Sequence, residues 1–349
     1  MKKVLLDCSP EELKTVFTEM GQPAYRAGQV FSELCRNLRF SEMSALPKSL
    51  REELENRFYT PPCEIVQTLV SADGTKKFLF RLQDGNVVEG VLMKYKYGNT
   101  QCVSTQVGCR MGCAFCASGL NGLVRNLTAG EILGQIAAVN AAEGGTADAR
   151  AVTNVVLMGS GEPLDNYDNT VRFLKNLSEK GGLNISLRNV SLSTCGLADK
   201  IRRFADEGLP VNLTISLHAP NDEERRKIMP VAKRFSVKEI LAACDDYFSK
   251  TGRRYIFEYV LIAGETDGKA SADALVSLLK GKPCHVNLIR LNEVKERKLL
   301  AATDKQAYAF LGRLERGGLS ATLRRRMGAD IEGACGQLRQ KYIENGEEF

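Results

Sequence analysis

Apolar positions at the start of the chain recur at the spacing of a helix. Leu13, Val16, Phe17 and Met20 follow Ser9-Pro10-Glu11-Glu12. Ser9 can cap a helix there, Pro10 suits its first turn and Glu12 completes a capping box. Gly21-Gln22-Pro23 ends it. Val30, Phe31, Leu34 and Cys35 mark a second apolar-periodic stretch. After the break at Ser41 and Leu46-Pro47, a helix through Leu50, Leu54 and Phe58 is predicted, up to Pro61-Pro62. Residues 1–62 therefore read as a small helical N-terminal domain whose own residues identify no chemistry.

The pattern then changes. Residues 64–70, 76–82 and 87–94 are rich in Val, Leu and Phe and are separated by Ala72-Asp73-Gly74 and Gln83-Asp84-Gly85. These are hairpin turn sequences, so residues 63–94 read as a β-meander linking two larger parts. Its third strand carries Glu89, and a glutamate on a strand usually faces solvent. From about residue 102, strands at 102–107, 152–158, 188–194, 211–217, 255–262 and 285–291 alternate with helices. Capping boxes open three of those helices at Thr128-Glu131, Ser236-Glu239 and Thr303-Gln306. Repeated β–α units imply parallel strands with right-handed crossovers. A closed (β/α)8 barrel needs eight, so residues 95–330 are expected to form an α/β, partial (β/α)6 barrel with a wide lateral mouth. Residues 331–349 form a tail. Ligands in such folds bind beyond the carboxyl ends of the strands.

Composition adds less. The 349 residues are 44% hydrophobic and 26% charged, ordinary for a globular protein. No run approaches the roughly 18 apolar residues of a membrane span. The start, Met1-Lys2-Lys3-Val4-Leu5-Leu6-Asp7, loses its apolar run too soon for a signal peptide. Eleven cysteines is an odd number, without disulfide-framework spacing; a cytoplasmic protein with a cluster-binding role is expected. Net charge is +6, and the bases come in clusters: Arg202-Arg203, Arg225-Arg226-Lys227, Lys233-Arg234, Arg253-Arg254 and Arg324-Arg325-Arg326. Any one pair is ordinarily a solvated helix face; five together favour a polyanionic partner such as RNA.

The sharpest chemistry lies in Cys109-Arg-Met-Gly-Cys113-Ala-Phe-Cys116. Thiolates that close converge on one inorganic centre. A structural zinc site wants four ligands, whereas the chain has only His218 and His285 as histidines and Cys102 as the nearest spare thiol. Three thiolates on a [4Fe–4S] cluster leave one iron open to a small molecule, and Phe115 would help keep that pocket dry. Strand tips follow. Met158-Gly-Ser-Gly161-Glu162-Pro-Leu offers close backbone approach and a carboxylate for an ammonium group. Ser193-Thr-Cys195-Gly and Ser216-Leu217-His218-Ala-Pro offer groups for ribose hydroxyls and a carboxylate. Asn292 offers an amide for an adenine edge or a ribose. His285, in an apolar run, reads as structural. Near the end, Asp330-Ile-Glu-Gly-Ala-Cys335-Gly-Gln-Leu presents a lone cysteine beside glycine. Free cysteines are usually buried small hydrophobes, but the flanking glycine argues for an exposed loop, and the preceding arginines could supply the electropositive setting a nucleophilic thiol needs.

The C-x3-C-x-aromatic-C motif resembles the signature of radical S-adenosylmethionine (SAM) enzymes, in which SAM chelates the open iron. With the motifs around Glu162, His218 and Cys335 in this order, nearly the whole chain resembles one branch: the dual-specificity RNA methyltransferases acting on carbon 2 of adenosine in 23S rRNA and tRNA. The resemblance implies that Cys109, Cys113 and Cys116 ligate the [4Fe–4S] cluster, and that Gly161, Glu162, Ser193, Ser216, Leu217, His218 and Asn292 bind SAM. It further implies that Cys335 is methylated by one SAM and, after radical activation by a second, adds to the adenine. Glu89 matches a proton acceptor. Cys102, otherwise a core strand residue, matches the thiol that resolves the adduct and leaves a Cys102–Cys335 disulfide. A monomer served by an electron donor such as a flavodoxin or ferredoxin is implied, with 23S rRNA and tRNA as partners and no membrane. The sequence departs from the branch's pattern at Ser160, Cys195 and Arg290. Arg290 also occurs in a sister branch that methylates carbon 8 of the rRNA adenosine and confers antibiotic resistance, which is the alternative reading. Two other classes stay open on the residues alone: a non-catalytic zinc- or cluster-bearing RNA-binding module, and a radical SAM enzyme acting on a small molecule.

Overall fold

The computed structural model describes residues 2–146 and 149–338; the end of the expected tail, 339–349, lies outside the described residues. Strand β1 (Lys3–Val4) precedes three helices, α1 (Pro10–Glu19), α2 (Tyr25–Cys35) and α3 (Lys48–Arg57), and β2 (Phe58–Tyr59) pairs in parallel with β1. The capping box is present: Glu12 N–H donates to Ser9 Oγ at 3.2 Å and Ser9 N–H to Glu12 Oε2 at 2.7 Å. Phe58 is the first residue of β2, not the end of a helix as its spacing suggests, because pairing with Lys3 takes its backbone into an extended form.

The meander appears as β3 (Cys63–Val70), β4 (Lys76–Leu82) and β5 (Val87–Tyr95), antiparallel neighbours. Strand β6 (Gly98–Cys102) pairs antiparallel with β5 and parallel with β9 (Asn154–Leu157). The meander thus extends the barrel wall within one ten-stranded sheet. β7 (Gln106–Gly108) and β8 (Leu123–Asn126) form a separate ribbon. Helix α4 (Ala129–Ala142) comes before β9. The parallel series then runs α5 (Tyr167–Leu177), β10 (Val190–Thr194), α6 (Ala198–Asp206), β11 (Asn212–Ser216), α7 (Asp222–Ile228), α8 (Val237–Thr251), β12 (Tyr255–Leu261), α9 (Lys269–Leu279), β13 (Cys284–Arg290), α10 (Asp304–Arg316) and β14 (Ala321–Leu323).

This is the expected partial barrel, with two corrections. The first parallel strand ends at Cys102, not near 107: Val103 N–H still reaches Val156 O at 3.0 Å, but Thr105 and Gln106 N–H then both turn to Ser160 O. A further parallel strand, β14, pairs with β13; three residues ahead of an arginine run carry too little apolar pattern to announce it. His285 is structural, its ring nitrogens 2.8 Å from Ser320 Oγ and 3.0 Å from Thr322 Oγ1 beside β14.

One core runs from Leu5 and Phe17 through Leu133 and Leu192 to Leu288 and Phe310. The N-terminal helices therefore share apolar burial with the barrel, the main favourable term in holding them there. Buried amides reinforce the join: Asn176 Nδ2 donates to Leu6 O at 3.1 Å and Gly130 N–H to Asp7 Oδ1 at 2.7 Å. Among the described residues, no helix is long and apolar enough to cross a membrane.

Candidate active site at the carboxyl ends of the barrel strands

The cysteine loop is fastened from three sides. Cys109 N–H donates to Gly122 O at 2.8 Å, Ala114 N–H to Ile228 O at the end of α7 at 2.8 Å, and Ala117 N–H to Gly336 O in the tail at 2.7 Å. Cys109, Cys113 and Cys116 line one cavity with the strand-tip residues. Burial pushes the Cys109 thiol up to about 12, raises Cys116 and raises Cys113 further. Such thiols are inert until a metal takes their protons. Among the described residues, no three metal-ligating side chains converge tightly enough for a single ion. A cluster does not require that, since each thiolate binds a separate iron; the donor set fits a [4Fe–4S] cube with one open corner.

Facing the thiols are Gly161, Glu162, Ser193, Ser216, His218 and Asn292, all lining the same cavity. Glu162 is buried. Its Oε2 accepts the Cys195 N–H at 2.6 Å, its Oε1 accepts the Leu164 N–H at 3.0 Å, and its own N–H donates to Gln106 Oε1 at 2.9 Å. Burial raises its carboxyl despite these donors, so an ammonium group would find an under-compensated carboxylate. Gly161 has φ +108°, and a Cβ there would lie 2.6 Å from Gln106 Cβ. His218 also sits at positive φ, +58°. Its Nδ1 accepts the Val260 N–H at 3.0 Å, which leaves the proton of the neutral imidazole on Nε2. Burial first and Arg225 second pull this ring down to about 3. Phe115 meets it edge-on at 4.7 Å. Leu217 differs from the rest: its side chain is fully buried in the core cluster and is not among the residues lining the cavity, and its N–H donates to Glu258 O at 3.1 Å.

The tail returns across this mouth. Cys335 lines the first cavity and an adjoining one, which Cys102 also lines. Both are free thiols, and burial pushes Cys102 up to about 12. Ser118 Oγ donates to Leu338 O at 2.8 Å and Gln337 Nε2 to Glu293 O at 3.0 Å, so the loop is held on both sides of the barrel mouth. Arg324 borders both cavities. Cys335 is the first influence raising its guanidinium, ahead of the burial that opposes it and of Glu258.

Glu89 does not face solvent. It is 3% exposed and pairs with Lys77 at 2.7 Å, and Lys77 Nζ also donates to Glu332 O at 3.3 Å. The rows of β5 explain this: residues 89, 91, 93 and 95 share one face, and the tail covers it. The basic clusters change meaning too. Arg202, Arg203 and Arg234 are tied to Asp246, Asp168 and Asp199. Arg225 is 0% exposed and clamps strand tips, donating to Leu217 O at 3.0 Å, Cys195 O at 2.5 Å and Ser216 O at 3.2 Å. Arg290 pairs with Asp304. Pattern reading missed Arg225 and Glu258 as site residues. Glu258, buried at the cavity with Oε2 lacking a hydrogen-bond partner, carried one usable signal: an acid inside the apolar strand Tyr255–Leu261.

The chain is similar to known proteins in both sequence and fold. Residues 103–274 match the radical SAM superfamily, and residues 4–59 match the ribosomal RNA large subunit methyltransferase N-terminal domain. A probable dual-specificity RNA methyltransferase RlmN of Clostridium perfringens (strain SM101 / Type A) is 51% identical over 346 residues, 98% of each chain. One from Alkaliphilus oremlandii is 48% identical, over 99% of this chain and 100% of its own. The crystal structure of a radical SAM methyltransferase from Sphaerobacter thermophilus superposes with a TM-score of 0.93 at 42% identity, covering 97% of this chain and 100% of that one.

Proposed function

The chain belongs to the dual-specificity RNA methyltransferases of the radical SAM superfamily, and we propose that it methylates carbon 2 of adenosine in 23S rRNA and tRNA with a methyl group carried on Cys335. A [4Fe–4S] cluster and SAM are its cofactors, held by Cys109, Cys113 and Cys116 and by the strand tips. When bound, they supply radical chemistry that side chains alone cannot. The chain's own residues do the rest. Gly161 and Glu162 take the amino end of SAM, while Ser193, Ser216 and His218 Nε2–H offer hydrogen bonds to its ribose and carboxylate. Arg324, which borders both cavities with Cys335, gives the methyl-accepting sulfur an electropositive setting. Carbon 2 of adenine is electrophilic, so a carbon presented on sulfur and added as a radical suits it better than polar methyl transfer. Glu89 would take the carbon-2 proton of the adduct once its unpaired electron is lost, and Cys102, giving up its own thiol proton, would attack the Cys335 sulfur. The carbon–sulfur bond breaks with its electron pair on the carbon, which takes a proton, so the methylated RNA leaves and the Cys102–Cys335 disulfide remains.

The observation that carries this reading is the position of Cys335, on a wall shared by the cavity of the three cysteines and the cavity of Cys102. A zinc module or a small-molecule enzyme has no use for a second thiol pair there. Relatives at about half identity bear the dual-specificity name, so the carbon-8 alternative is not favoured, and the Arg290–Asp304 pair gives that arginine a structural use. The same reading gives a cytoplasmic monomer reduced by a flavodoxin- or ferredoxin-type donor, with residues 1–62 docking RNA, 63–94 joining them to the core at 95–330, and 331–349 carrying Cys335. The test is nucleoside mass spectrometry after anaerobic incubation with SAM, reductant and protein-free 23S rRNA or tRNA. 2-Methyladenosine is expected; 8-methyladenosine, or no methyladenosine from iron-loaded protein that cleaves SAM, would overturn the proposal.

A further inference from the structure

The hairpin between β5 and β6 presents Lys94-Tyr95-Lys96-Tyr97. Tyr95 lines the cavity that holds Cys102 and Cys335. Tyr97 stacks on it in parallel, with ring centroids 4.9 Å apart and planes 7° apart, yet Tyr97 is 71% exposed. One aromatic ring thus continues another from the reactive thiols out to water. Folding gains little from an aromatic side chain left this open, and its orientation is already set by Tyr95.

Charge points the same way. Arg290, Arg324, Arg325 and Arg326 line this cavity, and no carboxylate does among the described residues. Arg290 is paired with Asp304, Arg324 lies 3.5 Å from Glu258, and Arg326 donates to Leu291 O at 2.8 Å. Arg325 is exposed at the rim and makes no ion pair with a described residue. Lys94 and Lys96 are exposed on the hairpin as well. An open ring face beside unneutralised cations is the chemistry that takes single-stranded RNA, base on aromatic and phosphate on cation.

Resting on the RNA methyltransferase reading, we propose that Tyr97 and Arg325 form the landing site for the nucleotide next to the target adenosine. An unpaired base stacks on the outer face of Tyr97 and a phosphate is taken by Arg325. The adjoining adenosine is thereby drawn out of its stack into the cavity between Cys102 and Cys335, as enzymes that act on a base require.

The test uses full-length, iron-loaded protein and an RNA stem-loop substrate with 2-aminopurine beside the target adenosine. Binding is followed across a salt series for wild type, Tyr97→Ala, Tyr97→Phe and Arg325→Gln, with iron content and melting temperature as controls. Tyr97→Ala should weaken binding on the order of tenfold and remove the stacking quench of 2-aminopurine, while Tyr97→Phe keeps both. Arg325→Gln should weaken binding and lower the salt slope by about one. Unchanged binding and quench in Tyr97→Ala would overturn the proposal. So would a Tyr97→Phe loss as large as that of alanine, or an effect confined to reduction by an electron-donor protein, which would make the hairpin a protein contact. Wild-type protein that methylates no RNA would instead sink the reading beneath it. Wild-type methylation with indifferent variants sinks only this inference.

Discussion

Asn292 Nδ2 donates to the carbonyl of Cys335 at 3.1 Å. The residue just beyond the last long barrel strand therefore holds the loop carrying Cys335, the proposed methyl acceptor, at the wall of the cavity proposed for SAM. Asn292→Ala should free the loop on that side. A hydrogen bond of this kind contributes about 1 kcal/mol net, so Cys335 methylation is expected to slow roughly fivefold with iron content unchanged. Single-turnover transfer from labelled SAM to protein measures it; a rate equal to wild type would show that the bond does not position the thiol.

Cys335→Ala should abolish RNA methylation while the protein keeps its cluster, because no other described thiol borders both cavities. Cys102→Ala should instead arrest the reaction after RNA has joined to Cys335. A denaturing gel of the reaction with labelled RNA then shows a protein-linked band in Cys102→Ala and none in Cys335→Ala. A linked band in both would place the attachment elsewhere.

Arg225 satisfies the carbonyls of Cys195, Ser216 and Leu217 from a fully buried position. Arg225→Met leaves those acceptors without donors at about 1 kcal/mol or more each. Urea unfolding should show a loss of about 3 kcal/mol. A loss under about 1 kcal/mol would mean that the strand tips hold themselves.

His218 is buried neutral, with its folded value near 3, below the ordinary 6.5. A depressed value means that this contribution to stability is complete above about 6.5 and drains away as pH falls toward the folded value. Between pH about 6.5 and about 4.5 that amounts to about 2–3 kcal/mol. His218→Gln should flatten the pH dependence of unfolding over this window by a comparable amount. An equally steep profile would show that the ring is not held as a neutral acceptor for Val260 N–H.

Gly161→Ala places a methyl group 2.6 Å from Gln106 Cβ at a backbone angle, φ +108°, that side chains rarely adopt. Gln106 holds the Glu162 N–H, so relief of the clash displaces the carboxylate proposed to take the amino end of SAM. Strain of about 1–3 kcal/mol should lower SAM affinity about tenfold or more, read by equilibrium dialysis on iron-loaded protein. Binding within twofold of wild type would remove this turn from the SAM site.

Much of this site was legible in residue order because it is local. The C-x3-C-x-Phe-C loop, the strand-tip motifs and the capping boxes at Ser9, Thr128, Ser236 and Thr303 are set by neighbours a few residues apart, and backbone geometry carries such spacing directly into space. Parallel pairing then brings successive strand tips to one end, so Glu162, Ser193, Ser216 and Asn292 were bound to meet. What residue order alone left open depends on partners far along the chain. Glu89 is an ordinary strand acid until the tail covers its face and Lys77 neutralises it. Arg225 reads as a surface base, and burial turns it into a clamp on the strand tips. Leu217 sits within a strand-tip motif whose neighbours line the cavity, and its own side chain is buried in the core. The free energy of a charged group is decided by what surrounds it, and for these residues the surroundings arrive only when the chain has folded.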